Sequence, residues 1–457
     1  TGQVPTHLIG SDAFQECDTV GITRHCTKHN YLVKNIADLP RVLHEAFYVA
    51  SSGRPGPVVL SLPEDMLTAR LAPMQTKPYQ RVAANPGARD LAAMRKMLQE
   101  AQRPMVILGG GGWNAEACAD IQRFAERNGL PVTCTFRRQD LFDNLHAQYA
   151  GEIGVGVSPK LQKRLQESDL ILCVGARLGE MTTNGYALFN VPRLKQNFVH
   201  VHPGAEELGR VYQADLLINS GMREFAEAAA ALDPVNGSRW SEWTASARRD
   251  HVENSSPVEV PGPLNPSRMV EWIAKTLPRD TIITNGAGNF SSWAHRFYPY
   301  GPWRTQLGPT NGAMGYGVPA AVAAKAVHPG RNVLCFTGDG DFMMNGQEFA
   351  TAVQYGLPII VLLFNNGMYG TIRMHQEREY PARVHGTSLT NPDFAALARA
   401  YGGHGETVRT TEEFPAAFER ARASGKPAIL DILLDPEVIT TRATLGAIRK
   451  KAIGEGK

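Results

Sequence analysis

Asp339 and Asn366 stand 27 positions apart in the stretch GDGDFMMNGQEFATAVQYGLPIIVLLFNN, which opens at Gly338. Each lies just past a strand-like apolar segment, residues 332–337 and 358–364, and residues 345–355 between them read as a helix. That is a β-α-β unit. A parallel sheet opens both strand ends at one edge, so this carboxylate and this amide can converge on one ion. Two such oxygens and a nearby backbone carbonyl suit Mg²⁺, which keeps phosphate oxygens among its other ligands. Gly338 and Gly340 let the backbone approach a diphosphate closely. The competing reading, a glycine turn with Asp339 as a helix cap, leaves the pair Asn365-Asn366 unexplained.

Together, GDG, the spacing and the closing Asn-Asn resemble the diphosphate-binding signature of thiamine diphosphate enzymes. Gly312-Ala313-Met314-Gly315-Tyr316-Gly317-Val318-Pro319, with Met314 25 positions before Asp339, is similar to the acetohydroxyacid (acetolactate) synthase branch of that superfamily. The resemblance implies that Met314 props the cofactor between its two rings. The resulting V shape brings the pyrimidine amino group to C2 of the thiazolium, whose ylid is the nucleophile. The backbone at Gly312 and Met314 would then hydrogen-bond the pyrimidine edge. Without that likeness Met314 reads as a core methionine. The same match assigns diphosphate contacts to Gly288 and Asn289 in the loop Asn285-Gly286-Ala287-Gly288-Asn289-Phe290. It adds Gly338, Gly340, Asp341, Tyr369 and Gly370 to the cofactor set, and gives Mg²⁺ the ligands Asp339, Asn366 and the carbonyl of Met368.

Near the start, Thr1-Gly2-Gln3-Val4-Pro5-Thr6, Asp12-Ala13-Phe14-Gln15-Glu16 and GRPGPVVLSLPEDM from Gly53 also resemble that branch. The likeness covers nearly the whole chain and is weakest through its centre. It implies that Phe14 and Gln15 face an active site across a subunit boundary; core packing is the other reading of Phe14. The glutamate that activates the pyrimidine in this family belongs upstream of Thr1, so the chain is expected to be N-terminally truncated. Half of a parallel sheet would leave a raw edge and an open core.

Several positions depart from the synthase pattern. Glu64 stands where the family has a basic residue, and His375 where it has tryptophan. The family's Asp-Asp-Arg cluster is replaced by Gly175-Ala176-Arg177-Leu178-Gly179-Glu180-Met181. Arg373 and His375 are the candidates to replace the lost contacts to a second anionic substrate; a solvated helix face is the other reading of Arg373. Gly151-Glu152-Ile153-Gly154 replaces the Gly-Met-His-Gly element that binds FAD. Gly109 to Gly112 could approach a dinucleotide, but a tight strand-to-helix turn is preferred, so FAD is not the favoured cofactor. Asn365-Asn366-Gly367-Met368-Tyr369-Gly370 is similar to benzoylformate-decarboxylase-like relatives, whose proton shuttles are histidines. His7, His25, His29 and His375 are the candidates here by position.

The elements that must position these residues follow from the rest of the chain. Its 457 residues, 43% hydrophobic and 20% charged with a net charge of +3, are those of an ordinary globular protein of two or three domains. No basic block points to nucleic acid. No apolar run reaches the ~18 residues of a membrane span, and no signal peptide is read. The six cysteines show no CxxC pairing and read as free thiols, giving a cytoplasmic expectation. Strands alternating with helices argue for parallel sheets in an α/β fold of three domains, the first incomplete. The divisions are 1–75, the C-terminal part of a pyrimidine-binding domain; 87–232, a central domain; 267–440, a diphosphate-binding domain; and 441–457, a charged tail. Residues 71–86 and 233–266 read as linkers.

The expected function is decarboxylation of a 2-oxo acid by thiamine diphosphate and Mg²⁺, followed by protonation to an aldehyde or addition to a second carbonyl. The expected catalytic residues are Met314, Gln15, Phe14 and His375, in a homodimer or tetramer. The alternatives are a benzoylformate decarboxylase-like enzyme that does not ligate, and a cofactor-binding paralogue without activity.

Overall fold

Three sheets, parallel throughout, carry the chain in a computed structural model that describes residues 1–301 and 303–456. The first holds β1 (Gly2–Gln3), β2 (His29–Leu32) and β3 (Val58–Pro63) in the order β1-β3-β2, with α1 (Leu39–Ser51) beside it. Its strand residues are mostly half-buried.

The second sheet holds β4 (Pro104–Leu108), β5 (Val132–Thr135), β6 (Tyr149–Ile153), β7 (Leu170–Val174), β8 (Asn197–His202) and β9 (Leu216–Asn219). Their order is β6-β5-β4-β7-β8-β9. Helix α2 (Ala115–Asn128) starts where the Asn114 side chain accepts from the Ala117 N–H and stops at Gly129, whose φ of 64° is the left-handed conformation glycine permits. The expected linker 233–266 contains α3 (Ser241–Asn254). Prolines flank that segment and leave its interior free to coil. Thr244 Oγ1 donates to the Gly129 carbonyl at 2.8 Å, and Trp240, just ahead of the helix, donates to the Asn128 carbonyl at 3.1 Å.

The third sheet holds β10 (Ile282–Asn285), β11 (Gln306–Leu307), β12 (Val333–Gly338), β13 (Ile360–Asn365), β14 (His404–Val408) and β15 (Ala428–Leu433). Their order is β11-β10-β12-β13-β15-β14. Around it lie α4 (Ser291–Phe297), α5 (Gly317–Val327), α6 (Asp339–Asn345), α7 (Gly370–Glu379), α8 (Phe394–Ala400) and α9 (Leu445–Gly454). Strands β12 and β13 are continuous apolar runs because helices cover both faces. Leu334, Phe336, Leu362 and Phe364 enter one core cluster, and Val333, Cys335, Val361 and Leu363 the other. Each such side chain contributes ~1.5–3 kcal/mol on burial.

Two expectations are corrected here. The helix between the strands starts at Asp339 rather than at residue 345, and breaks at a 3-10 turn, Gly346–Glu348. The Phe342 ring lies where a Cβ on Gly346 would sit, 2.5 Å away, so the break tolerates glycine alone. The segment expected as a tail, 441–457, carries α9, which buries Leu445 and Ala452. All six cysteines are free; Cys134, Cys173 and Cys335 are buried. Among the described residues no helix is long and apolar enough to cross a membrane.

Candidate functional site

The chain leaves β10 for β11 on one side and returns as β12 on the other. Such a reversal opens a crevice at the C-terminal strand ends. A cleft lies there, about 590 Å³ when the space open to solvent at its mouth is counted. Its walls are the connections after four strands: residues 287–290 after β10, 338–341 after β12, 366 and 368–372 after β13, and Leu434, Val438 and Ile439 after β15. Met314, half-buried, closes one side.

Gly288, Asn289, Met314, Gly338, Asp339, Gly340, Asp341, Asn366, Met368, Tyr369 and Gly370 all line this one cleft. Asp339 and Asn366 share its edge because β12 and β13 pair with Gly338 opposite Phe364. Asp339 is 3% exposed. Its Oδ2 accepts from the Gly367 N–H at 2.9 Å and from Asn391 Nδ2 at 2.8 Å, and its Oδ1 from the Gly340 N–H at 2.9 Å. It is therefore the first residue of α6 rather than its cap. Met368 faces Ser388 in an antiparallel bridge whose hydrogen bonds run from Tyr369 to Thr387 and from Leu389 to Gly367. That pattern turns the N–H and carbonyl of Met368 away from the bridge.

The cleft is acidic. Among the described residues lining it, Asp339 and Asp341 are charged and no lysine or arginine occurs. Burial pushes both carboxyls above the usual carboxylate range; Asn391 and backbone N–H groups oppose it at Asp339, and Thr337 at Asp341. Asp341 is engaged at both oxygens by the protein. It accepts from the N–H groups of Ala287 (3.0 Å) and Gly315 (2.9 Å) and from Thr337 Oγ1 (2.6 Å), bracing the loops that flank the cleft. Asn289 locks the loop after β10 onto α7: its N–H donates to Thr371 Oγ1 at 3.0 Å and its Oδ1 accepts from that hydroxyl at 3.1 Å. Gly288 and Gly338 are required sterically, since a Cβ on either would stand 2.6 or 2.8 Å from the Phe290 ring.

Other expected residues lie apart from the cleft of this chain. Phe14 is 90% exposed and Gln15 is exposed with φ 67°. Gly312, also exposed, has φ +76° and lies near the Arg137 guanidinium. His375 is on the outer side of α7, beside Arg378, and His7, His25 and His29 are exposed. Arg373 is committed: its Nη2 lies 2.6 Å from Glu377, which also holds Arg449 of α9. It is neither a solvated face nor a free cation for substrate.

Asn391 and Asp431, which stand behind Asp339, carry no motif. Asn391 is brought in by the backbone pairing at residues 387–389, a long-range event without a spacing signal.

The analogous crevice in the second sheet lies between β4 and β7. It is filled by the protein itself. The Trp113 indole, 3% exposed, donates to the Gly109 carbonyl at 2.8 Å, and a Cβ on Gly110 would stand 2.0 Å from the Gly175 carbonyl oxygen.

Residues 286–432 match the thiamine pyrophosphate enzyme C-terminal TPP-binding domain, and residues 91–229 the thiamine pyrophosphate enzyme central domain. The chain is 33% identical over 442 residues to the acetolactate synthase isozyme 2 large subunit of Escherichia coli K12, covering 95% of this chain and 78% of that protein. It is 34% identical over 455 residues to the acetolactate synthase large subunit of Corynebacterium glutamicum (95% and 71%), and 33% identical over 452 residues to the acetolactate synthase of Mycobacterium leprae (95% and 72%). A cleft built from the GDG and Asn-Asn segments and a likeness that runs along nearly its whole length agree: the chain belongs to the acetolactate synthase family of thiamine pyrophosphate enzymes.

Proposed function

We propose that the cleft holds thiamine diphosphate through Mg²⁺ and that the protein decarboxylates a 2-oxo acid and ligates the remaining fragment to a second carbonyl. The observation that carries this is the charge of the lining. With two aspartates and no basic side chain, the walls repel a diphosphate unless a divalent cation stands between. Asp339, the Asn366 side chain and the Met368 carbonyl would hold that cation. They supply one carboxylate, one amide and one carbonyl, the partial shell of an ion that keeps phosphate ligands. Among the described residues no group of three or more His, Cys, Asp or Glu forms a fuller cage.

Thiamine diphosphate supplies, when bound, the electron sink that decarboxylation of a 2-oxo acid requires. The protein's part is binding, orientation and exclusion of water. The first turn of α7 offers the unpaired N–H groups of Gly370, Thr371 and Ile372 to an anion. Met314 would support the cofactor from one side. Leu434, Val438 and Ile439 wall the cleft with apolar surface, which keeps the site dry. Phe14 and Gln15 would act on a neighbouring subunit's cleft, and the exposed Phe14, Ile22, Phe47 and Leu67 support a homodimer or tetramer. The unpaired cysteines support a cytoplasmic setting. We keep the division into 1–75, 87–232 and 267–440, with 441–457 as a helical extension of the last.

Flavin is not part of this reading, because the crevice that would take it is occupied by Trp113. One observation favours a second reading. Arg373 is paired to Glu377 and no lysine or arginine occurs among the described residues lining the cleft, so a second anionic 2-oxo acid meets no cation there, and simple release of an aldehyde is the competing outcome. The test is to supply Mg²⁺, thiamine diphosphate and a panel of 2-oxo acids and to separate acyloin from aldehyde products. Ligated product is expected. Aldehyde alone supports the decarboxylase reading, and failure to bind thiamine diphosphate with Mg²⁺ present refutes both.

A further inference from the structure

Asn365 and Asn366 are adjacent in the chain but do different work. Asn366 lines the cleft. Asn365, the last residue of β13, turns into the sheet end, where its Nδ2 donates to Asp431 Oδ1 at 3.0 Å. Its Oδ1 accepts from Asn391 Nδ2 at 2.9 Å, and the same Nδ2 donates to Asp339 Oδ2 at 2.8 Å. Four side chains from β15, β13, the segment before α8 and the start of α6 are thus joined in one line.

The line commits one oxygen of Asp339 more fully than the other. Oδ2 is committed twice, to Asn391 and to the Gly367 N–H, whereas Oδ1 takes one hydrogen bond, from Gly340. A carboxylate oxygen has two lone-pair directions, so Oδ1 is the one left for an incoming cation. Asn391 has little other reason to be here: it is half-buried in a connection and is neither a helix cap nor part of the core. Asp431, 5% exposed, anchors the far end as an acceptor for Asn365.

We propose that Asn391 and Asp431 are positioning residues for the metal site, acting through Asn365 to fix the Asp339 carboxylate with Oδ1 toward the cation. The proposal rests on Asp339 as a metal ligand. Partners that orient a metal ligand in this way change metal affinity by about 10- to 100-fold when removed.

The test measures Mn²⁺ binding by the protein with saturating thiamine diphosphate, from free Mn²⁺ in electron paramagnetic resonance. Asn391→Ala is expected to weaken Mn²⁺ by about 10- to 100-fold. Asn391→Asp keeps the shape but replaces the N–H donor with an acceptor beside Asp339; it is expected to be at least as damaging. A packing role predicts the opposite, near-normal binding by that isostere. Asp431→Ala is expected to have a smaller effect in the same direction, and none when added to Asn391→Ala, because the line is already cut. Circular dichroism and thermal melting confirm that each variant is folded; Asp431→Ala, remote from the cleft, carries the test if Asn391→Asp does not fold. Asp339→Ala separates the two ideas. If it leaves Mn²⁺ affinity unchanged, the metal reading fails. If it abolishes binding while Asn391→Ala and Asp431→Ala stay within twofold of the parent, the positioning proposal alone is overturned.

Discussion

The carboxylate of Glu377 on α7 receives Arg449 of α9 in a two-pronged pair, with Nε at 2.7 Å and Nη2 at 2.6 Å. Arg373 and the Ala382 N–H bind the same carboxylate, which is 1% exposed. This clasp holds α9 against the segment that walls the cleft, where Met374, Ile439 and Leu445 pack together beside Met368.

Glu377→Gln should therefore release α9 before the rest of the molecule. Removing one partner of a buried ion pair costs about 3–5 kcal/mol, and the partial exposure of Arg449 puts this case at the lower end. The measurement is amide exchange resolved by segment. Exchange of residues 445–454 should rise while that of β12 and β13 stays slow; unchanged protection of α9 would exclude the clasp. Arg449, ahead of Arg373, holds the Glu377 carboxyl down at about 2. Because this value is depressed, the contribution is full above about pH 4.5 and is lost as pH falls toward 2. Acid should loosen α9 in that window.

Gly340→Ala tests the other side of the cleft. A Cβ there would stand 2.5 Å from the Tyr369 ring, which adjoins Met368. Overpacking of this kind costs about 1–3 kcal/mol, and here the ring must move, carrying the Met368 carbonyl with it. Thiamine diphosphate binding should become about tenfold more demanding of Mg²⁺. Tyr369→Ala in the same chain should recover part of the loss, since the two effects meet at one contact. Calorimetric titration decides it: Gly340→Ala binding like the parent means the ring yields freely.

Much of this could be read from residue order, for identifiable reasons. The runs at 104–108, 170–174, 333–338 and 359–364 are buried on both faces, so apolarity alone marks them as strands. Ala115–Asn128 shows both its Asn114 cap and its Gly129 stop. Strands β6, β9 and β14 were harder to see, because YAGEI, LLIN and HGETV mix glycine or polar residues and lie at or near sheet edges. Helices α3 and α9 bury only two residues each, among polar neighbours, so no apolar stripe announces them. In the site, the local motifs around Gly288, Met314, Asp339 and Asn366 come together at one cleft, with Gly312 outside it. Asn391 and Asp431, joined to Asp339 only across the fold, left no local trace. His375 lies on the exposed side of α7, away from this chain's cleft, and Phe14, expected at the site of a neighbouring subunit, is 90% exposed on this one.

The purified protein should carry no flavin absorbance, and added FAD should leave its rate unchanged. The reason is steric. Met222 and the Trp113 indole stand 2.7 and 3.3 Å from where a Cβ on Gly175 would project, and Trp113 bonds the Gly109 carbonyl across the same crevice. Trp113→Ala would open space but also remove a buried aromatic, at about 3–5 kcal/mol. Stoichiometric flavin in the parent protein would show that Trp113 swings aside.

Glu152 lowers stability as pH rises through neutrality. It lies on β6, 7% exposed, with Oε2 lacking a hydrogen-bond partner, in a pocket shared with His251, His295 and Arg296. Burial raises its carboxyl to about 8, although Arg442 and Arg296 pull the other way. A raised carboxyl binds its proton more tightly folded than unfolded, so stability is highest below about pH 4.5 from this group and falls until pH passes about 8. Burial lowers His295 to about 4 and His251 to about 3, which costs stability as pH drops below 6.5. Above pH 6.5 the histidines no longer change charge on unfolding, and Glu152 still lowers stability up to about pH 8. Glu152→Gln mimics the protonated acid in shape. At one pKa unit per ~1.4 kcal/mol it should gain on the order of 4 kcal/mol over the parent by pH 8, with less gain toward acid. Denaturant unfolding at several pH values measures this directly. Parallel profiles for parent and variant above pH 6.5 would mean that Glu152 is ionised in the folded protein, with Arg296 and Arg442 outweighing its burial.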